Sequence, residues 1–217
     1  MSDTGSFTSP KDKYLQPYNS LHMKSIEIDE KVGRHLSINE KQSDRPLNPE
    51  SKGTVTIEGE YATLRYERLL SHPREVVWKA ITDPKELAGW MNTKAVIDGR
   101  NGGTIDFVNI VSGFHTTGRI LAWDPQRVFE YEWHIAPNPS LPDGEPEAVI
   151  CWELKQDDGD SNNTLLTLTH SRLTKSTSLR FAPGWHAYLD RLEDSLNNEV
   201  PLDWMQRFAE VKELYPS

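Results

Sequence analysis

Between Lys94 and Leu173 the chain is a succession of short alternating runs, each closed by a turn signal. The runs are KAVID, GTIDFVNIV, GFHTTGRILAW, RVFEYEWHI, AVICWELK and NTLLTLTHSRL. The breaks are Asp98-Gly99, Asn101-Gly102-Gly103, Ser112-Gly113, Asp124-Pro125 and Asp157-Asp158-Gly159-Asp160. Period-two alternation bounded by Gly, Pro, Asn and Asp reads as strands joined by turns. Connections this short join antiparallel neighbours, so the middle of the chain is expected to be a meander. One connection is longer: Ala136 to Glu147, APNPSLPDGEPE, carries four prolines and reads as a stiff surface loop.

The same alternation assigns faces. Phe129, Tyr131 and Trp133 fall on one side of their strand, with Glu130, Glu132 and His134 on the other, as in a sheet with one wet face. Ile150, Trp152 and Leu154 share a side, as do Leu166, Leu168 and His170. The inward face therefore carries aromatics and ends in one histidine.

Helical signals flank the meander. TVTIEGEYATLRYERLL, from Thr54, reads as strand and stops at SHPREVVWKAITDPKELAGWM. There Ser71 or His72 is placed to cap a short helix with Pro73 in its first turn, and Pro84 opens a second that ends near Gly89. At the other end, GWHAYLDRLEDSL reads as the long helix, with Pro183 in its first turn. Trp185, Tyr188, Leu189, Leu192 and Leu196 form its apolar stripe, and His186, Asp190, Arg191, Glu193, Asp194 and Asn197 its polar face. Beyond Pro201, Trp204, Phe208, Val211 and Tyr215 suggest a further helix packed on the outside. Residues 1–53 are polar, with only the weak alternation Ser25 to Ile38, and read as a flexible extension with one short strand or hairpin; residues 54–217 read as the folded domain with a C-terminal helical extension.

Composition narrows the partners. The 217 residues carry a formal charge of −9 and no Lys/Arg stripe, which argues against a nucleic-acid phosphate backbone. No stretch approaches the roughly 20 apolar residues of a membrane span. The N-terminus has no apolar signal core and the chain has one cysteine, Cys151, so a cytoplasmic setting without an intrachain disulfide is expected. No nucleophile elbow appears, and Asn101-Gly102-Gly103 is a strand-entry turn, not a phosphate loop; no cofactor is implied.

The series YERLLSHPREVVWKAITDPKELAGWM, Gly102-Gly103, GRILAWDPQRVFEYEW, TLLTLTHSRL and GWHAYLDRLEDSL resembles, over about Tyr61 to Leu196, the activator of Hsp90 ATPase homologue domain of the START-like, Bet v 1-like (SRPBCC) superfamily. The resemblance implies an α+β helix-grip fold. In it a curved antiparallel sheet wraps a long C-terminal helix, two short helices follow the first strand, and an internal cavity remains. It also implies a spread of functions: carriers of lipids, polyketides and flavonoid-like ligands, aromatase/cyclases, self-sacrificing resistance proteins and a co-chaperone domain. The co-chaperone also has a larger amino-terminal domain that engages Hsp90, for which residues 1–53 are too short and polar, so Hsp90 is not the expected partner.

The expected site is the space between sheet and helix, walled by Trp90, Phe107, Tyr131, Trp133, Trp152, His170, Trp185 and Leu189. Its expected occupant is a small hydrophobic, polycyclic or lipid-like molecule, with the protein a monomer or homodimer. A second reading makes it a cyclase, hydrolase or isomerase, with His170 moving protons near neutral pH and Tyr131 or Arg119 polarising a carbonyl. A third makes it a stress-related or co-chaperone module that binds protein on its outer surface. Each aromatic and His170 also has a plain reading as core, the histidine satisfied by a backbone carbonyl or by Arg172. His115, His134 and His170 approach one end of the meander, but opposed parity and the absence of tight His-x-His spacing argue against a metal. Asp106 is expected in solvent, His186 and Asp190 as a surface pair, and Cys151 outward or at an edge, without an activating neighbour.

Overall fold

In the computed structural model residues 45–215 are described; the alternation at Ser25–Ile38 lies outside them. A hairpin comes first, β1 (Thr54–Glu58) and β2 (Tyr61–Leu70), turned by Gly59-Glu60. Gly59 stands at φ +61°, a conformation that costs a residue without a Cβ nothing. The single strand read from Thr54 is thus two, and the two short helices follow the second. They are α1 (Arg74–Thr82) and α2 (Pro84–Trp90).

Pro73 is itself the cap residue of α1, with no side-chain capping bond, whereas Asp83 caps α2 by accepting from the Lys85 N–H. His72, expected as a cap for α1, instead reaches Asn197 with its ring and accepts from Thr164 with its carbonyl. The meander follows as β3 (Thr93–Ile97), β4 (Thr104–Asn109), β5 (His115–Asp124), β6 (Val128–Ile135), β7 (Glu145–Gln156) and β8 (Thr164–Thr174). The eight strands form one open antiparallel sheet in the order β1-β2-β8-β7-β6-β5-β4-β3. Register irregularities at Ala62/Leu64, Ile120/Ala122 and Trp133/Ile135 let the strands bend, and the sheet curves. The Pro-rich connection is shorter than expected, because β7 begins at Glu145, whose carboxylate is buried and accepts from the Thr174 N–H and hydroxyl.

The concave face is the one that alternation assigned. Phe129, Tyr131, Trp133 and Ile135 are buried, as are Ile150, Trp152, Leu154, Leu166, Leu168 and His170. Against it lies α3 (Lys175–Leu196), 22 residues long and begun nine residues before Gly184. Thr174 caps it, accepting from the Thr177 N–H. Pro183, expected in the first turn, is interior, so the Leu179 carbonyl loses its ordinary helical donor. The final helix is α4 (Trp204–Lys212), capped by Asp203.

The polar face of α3 differs most from expectation. His186, Asp190, Arg191 and Asp194 are all buried, because α4 and residues 45–53 cover that face while the end of α2 and the segment after α3 accept from Arg191. Asp190 is 1% exposed and accepts from Arg207 Nε at 2.7 Å, while its backbone carbonyl accepts from Arg45. Arg45 also contacts the carboxylates of Glu193 and Asp194. Arg68 Nε lies 3.1 Å from Glu193, an ion-pair contact too poorly aligned for a hydrogen bond. His186 Nε2 stands 3.7 Å from Asp190, and its Nδ1 meets the Tyr215 hydroxyl, which accepts from the Gly53 N–H. The expected surface pair is a buried ion cluster.

Candidate ligand cavity

A cavity of about 1050 Å³ opens between the β3–β6 end of the sheet and the first half of α3, with α4 as its outer wall. The sheet contributes Thr93, Phe107, Asn109, Thr116 and Trp133, and α3 contributes Phe181, Pro183, Gly184, Trp185 and Tyr188. From α4 and its C-terminal turn come Trp204, Phe208, Lys212, Glu213 and Tyr215, so the helix expected merely to pack outside walls the cavity. A Cβ on Gly184 would lie 3.7 Å from Trp204, ordinary contact, so the helices meet closely there. At the rim Arg180 donates to the Ser140 carbonyl at 2.7 Å and ties the β6–β7 loop to α3.

Of the eight residues expected to line the site, Phe107, Trp133 and Trp185 do. Trp90, Tyr131, Trp152, His170 and Leu189 are buried behind them as core. Indole hydrogen bonding differs among the tryptophans. Trp90 donates to the Ala80 carbonyl at 2.9 Å and Trp152 to the Tyr131 hydroxyl at 3.2 Å, so both are satisfied within the core. Trp185 donates to His170 Nδ1 at 2.9 Å. Trp133 and Trp204, both cavity residues, have buried indole nitrogens with no partner among the described residues.

His170 is fully buried, and desolvation lowers its pKa to about 3, so the ring is neutral at physiological pH. Because Nδ1 accepts from Trp185, the proton resides on Nε2, which has no acceptor among the described residues. A ring fixed in this state is a donor, not a base, and Arg172 pairs instead with Glu147 on the surface. Burial likewise raises the Tyr131 phenol well above its ordinary value and keeps it protonated. Arg119 is exposed on the outward face of β5 and cannot orient a ligand in the cavity. The expected acid–base trio is therefore not assembled.

Asp106 and His115 pair on the exposed face at 3.0 Å, away from His170. Among the described residues no three His, Cys, Asp or Glu side chains group as a metal site. Cys151 is half-buried, and desolvation pushes its thiol up to about 12. None of the described helices is long and apolar enough to cross a membrane.

Asn109 was not legible as a site residue. Its Nδ2 donates to the Met91 carbonyl at 2.9 Å and to the Tyr188 hydroxyl at 2.8 Å, while its Oδ1 accepts from the N–H groups of Val111 and Ser112. It thereby joins the C-terminal end of α2, the β4–β5 turn and α3 at the cavity wall. Its strand-end position signals only the turn; the other partners are distant in sequence. Desolvation raises the Tyr188 phenol to about 12, so it remains a neutral hydroxyl there.

Residues 71–197 match the model of the family described as activator of Hsp90 ATPase homolog 1-like protein. The chain belongs to that family. Solved structures similar to it in fold include CalU16 of Micromonospora echinospora, 22% identical over 76% of this chain and 92% of that one, with TM-score 0.56. MLL2253 of Mesorhizobium loti is 24% identical, covering 63% of this chain and 97% of its own, with TM-score 0.54. EF2215 of Enterococcus faecalis, a conserved protein of unknown function, is 19% identical over 76% and 91%, with TM-score 0.55. No curated protein matches the chain. The family match ends at residue 197, so α4 and its aromatic wall lie beyond the matched region.

Proposed function

We propose that the domain binds a small, largely apolar molecule in this cavity, between the sheet, α3 and α4. The observation that carries the reading is the lining. Phe107, Phe114, Trp133, Phe181, Trp185 and Phe208 surround about 1050 Å³, with a few placed polar groups such as Asn109 and Tyr188. A large concave apolar surface with sparse polar groups is the usual form of a small-molecule site. Aromatic walls suit a planar polycyclic ligand, which they can hold by stacked and edge-to-face contacts. Carriage or sequestration fits better than turnover, because the neutral, donor-fixed state of His170 deprives the cavity of the base that catalysis would use.

The test is a screen of planar aromatic compounds by native mass spectrometry and tryptophan fluorescence. A one-to-one complex that quenches fluorescence and is lost in Trp133→Ala supports the reading. Absence of any complex across the screen and in protein drawn from its native host overturns it.

A further inference from the structure

Trp133, which lines the cavity, and His170, packed directly behind it, carry two hydrogen-bond donors that nothing among the described residues satisfies. Trp133 on β6 and His170 on β8 are separated by β7, about 10 Å apart at the backbone. Their rings nevertheless stand 5.8 Å apart, centroid to centroid, in an edge-to-face contact. The partner of Trp133 across β6–β7 is Ala148, fully buried, whose small side chain leaves room for the indole to lean over β7 toward His170. Trp133 is 8% exposed and His170 0%; Trp133 Nε1 and His170 Nε2 are both buried without an acceptor among the described residues. Phe181 and Trp185, which also line the cavity, pack on His170 at 5.9 and 6.0 Å.

A buried, unpaired N–H gives up the hydrogen bond it made to water and gains none in return. Two on rings in contact are accounted for where an acceptor arrives from outside. Trp185 makes the arrangement one-directional: by donating to Nδ1 it keeps the His170 proton on Nε2.

We propose that this end of the cavity receives a carbonyl oxygen of a flat aromatic ligand between the Trp133 indole N–H and the His170 Nε2–H. The assignment rests on the cavity-binding reading above and narrows it, from apolar molecules in general to planar aromatic ketones and quinone-like compounds. His170 is here a neutral donor. Its depressed pKa, about 3 through desolvation, keeps it so across the physiological range.

The test compares fluorenone with fluorene, the same tricyclic skeleton with and without the carbonyl, in fluorescence titrations of the full chain. The native protein should bind fluorenone at least about tenfold more tightly than fluorene. Trp133→Phe, which keeps an aromatic ring but removes the N–H, should cut that preference to about threefold or less. Trp204→Phe, which removes the other unpaired indole N–H of the cavity, should retain the preference. In the native chain with 15N-labelled histidine, the His170 Nε2 resonance should carry the protonated-nitrogen signature from pH 5 to 8. It should shift with fluorenone and not with fluorene, a readout that stands even if Trp133→Phe fails to fold.

Equal affinity for the two compounds, a preference that survives Trp133→Phe or vanishes in Trp204→Phe, or an unresponsive Nε2 overturns this inference and leaves the cavity reading standing. Failure of the native protein to bind either compound counts against the cavity reading and takes this inference with it.

Discussion

At the scale of single residues, the tryptophans near α3 have different jobs according to where each indole N–H goes. Trp152 is core, bonded to Tyr131, so Trp152→Ala should cost about 3–5 kcal/mol of stability in urea denaturation. Trp133→Ala should instead be read in binding, weakening fluorenone by at least about tenfold. Alternation alone put both on the inward face, which is correct, but it carries no information on which inward side chain meets cavity and which meets core. His170 adds a pH dependence whose sign follows from burial. The unfolded chain takes up a proton at the ordinary histidine value, near 6.5, while the folded chain resists it until about pH 3. In that window the unfolded state binds more protons, so stability falls as pH falls. His186, lowered to about 4 mainly by desolvation, adds to the same slope. His170→Gln should flatten the decline between pH 6 and 5 by up to about 1.4 kcal/mol per pH unit, measured by urea denaturation at each pH.

At the scale of elements, α3 is gripped on both faces. Its apolar stripe meets the sheet, as its three- and four-residue spacing indicated. Its polar stripe, which the same spacing assigned to solvent, meets Arg45, Arg68 and Arg207 instead. Asp190 stands at the centre of these charges. Asp190→Ala should cost about 3–5 kcal/mol, because it leaves buried arginines uncompensated. Glu67→Ala, which breaks the exposed Arg65–Glu67 pair, should change stability by no more than about 1 kcal/mol. The contrast, read from parallel denaturation curves, separates an ion cluster that holds α4 and residues 45–53 from an ordinary surface pair. Helical periodicity reports which residues share a face. It does not report whether another element, distant in sequence, covers that face.

At the scale of the whole molecule, a ligand that binds only the folded chain must stabilise it. Fluorenone at about 100 times its dissociation constant should add about 2.7 kcal/mol and raise the melting temperature accordingly. The paired change Trp204→Ala and Phe208→Ala, which strips the α4 wall, should remove most of that rise in thermal-shift measurements. The helix-grip architecture was legible in residue order because it is built from local signals: period-two runs, Gly- and Asp-rich turns, proline-opened helices and one amphipathic stripe. Those signals act over a few residues, and the sheet order follows from short connections between them. The start of α3 at Lys175 was missed, because an interior proline at 183 resembles a helix beginning when only neighbours along the chain are considered. The site required the tertiary structure. Which tryptophans wall the cavity, which hydrogen His170 keeps, and which charges α3 buries all depend on groups brought together from far apart in the chain, where desolvation and the presence or absence of a partner decide the chemistry of each.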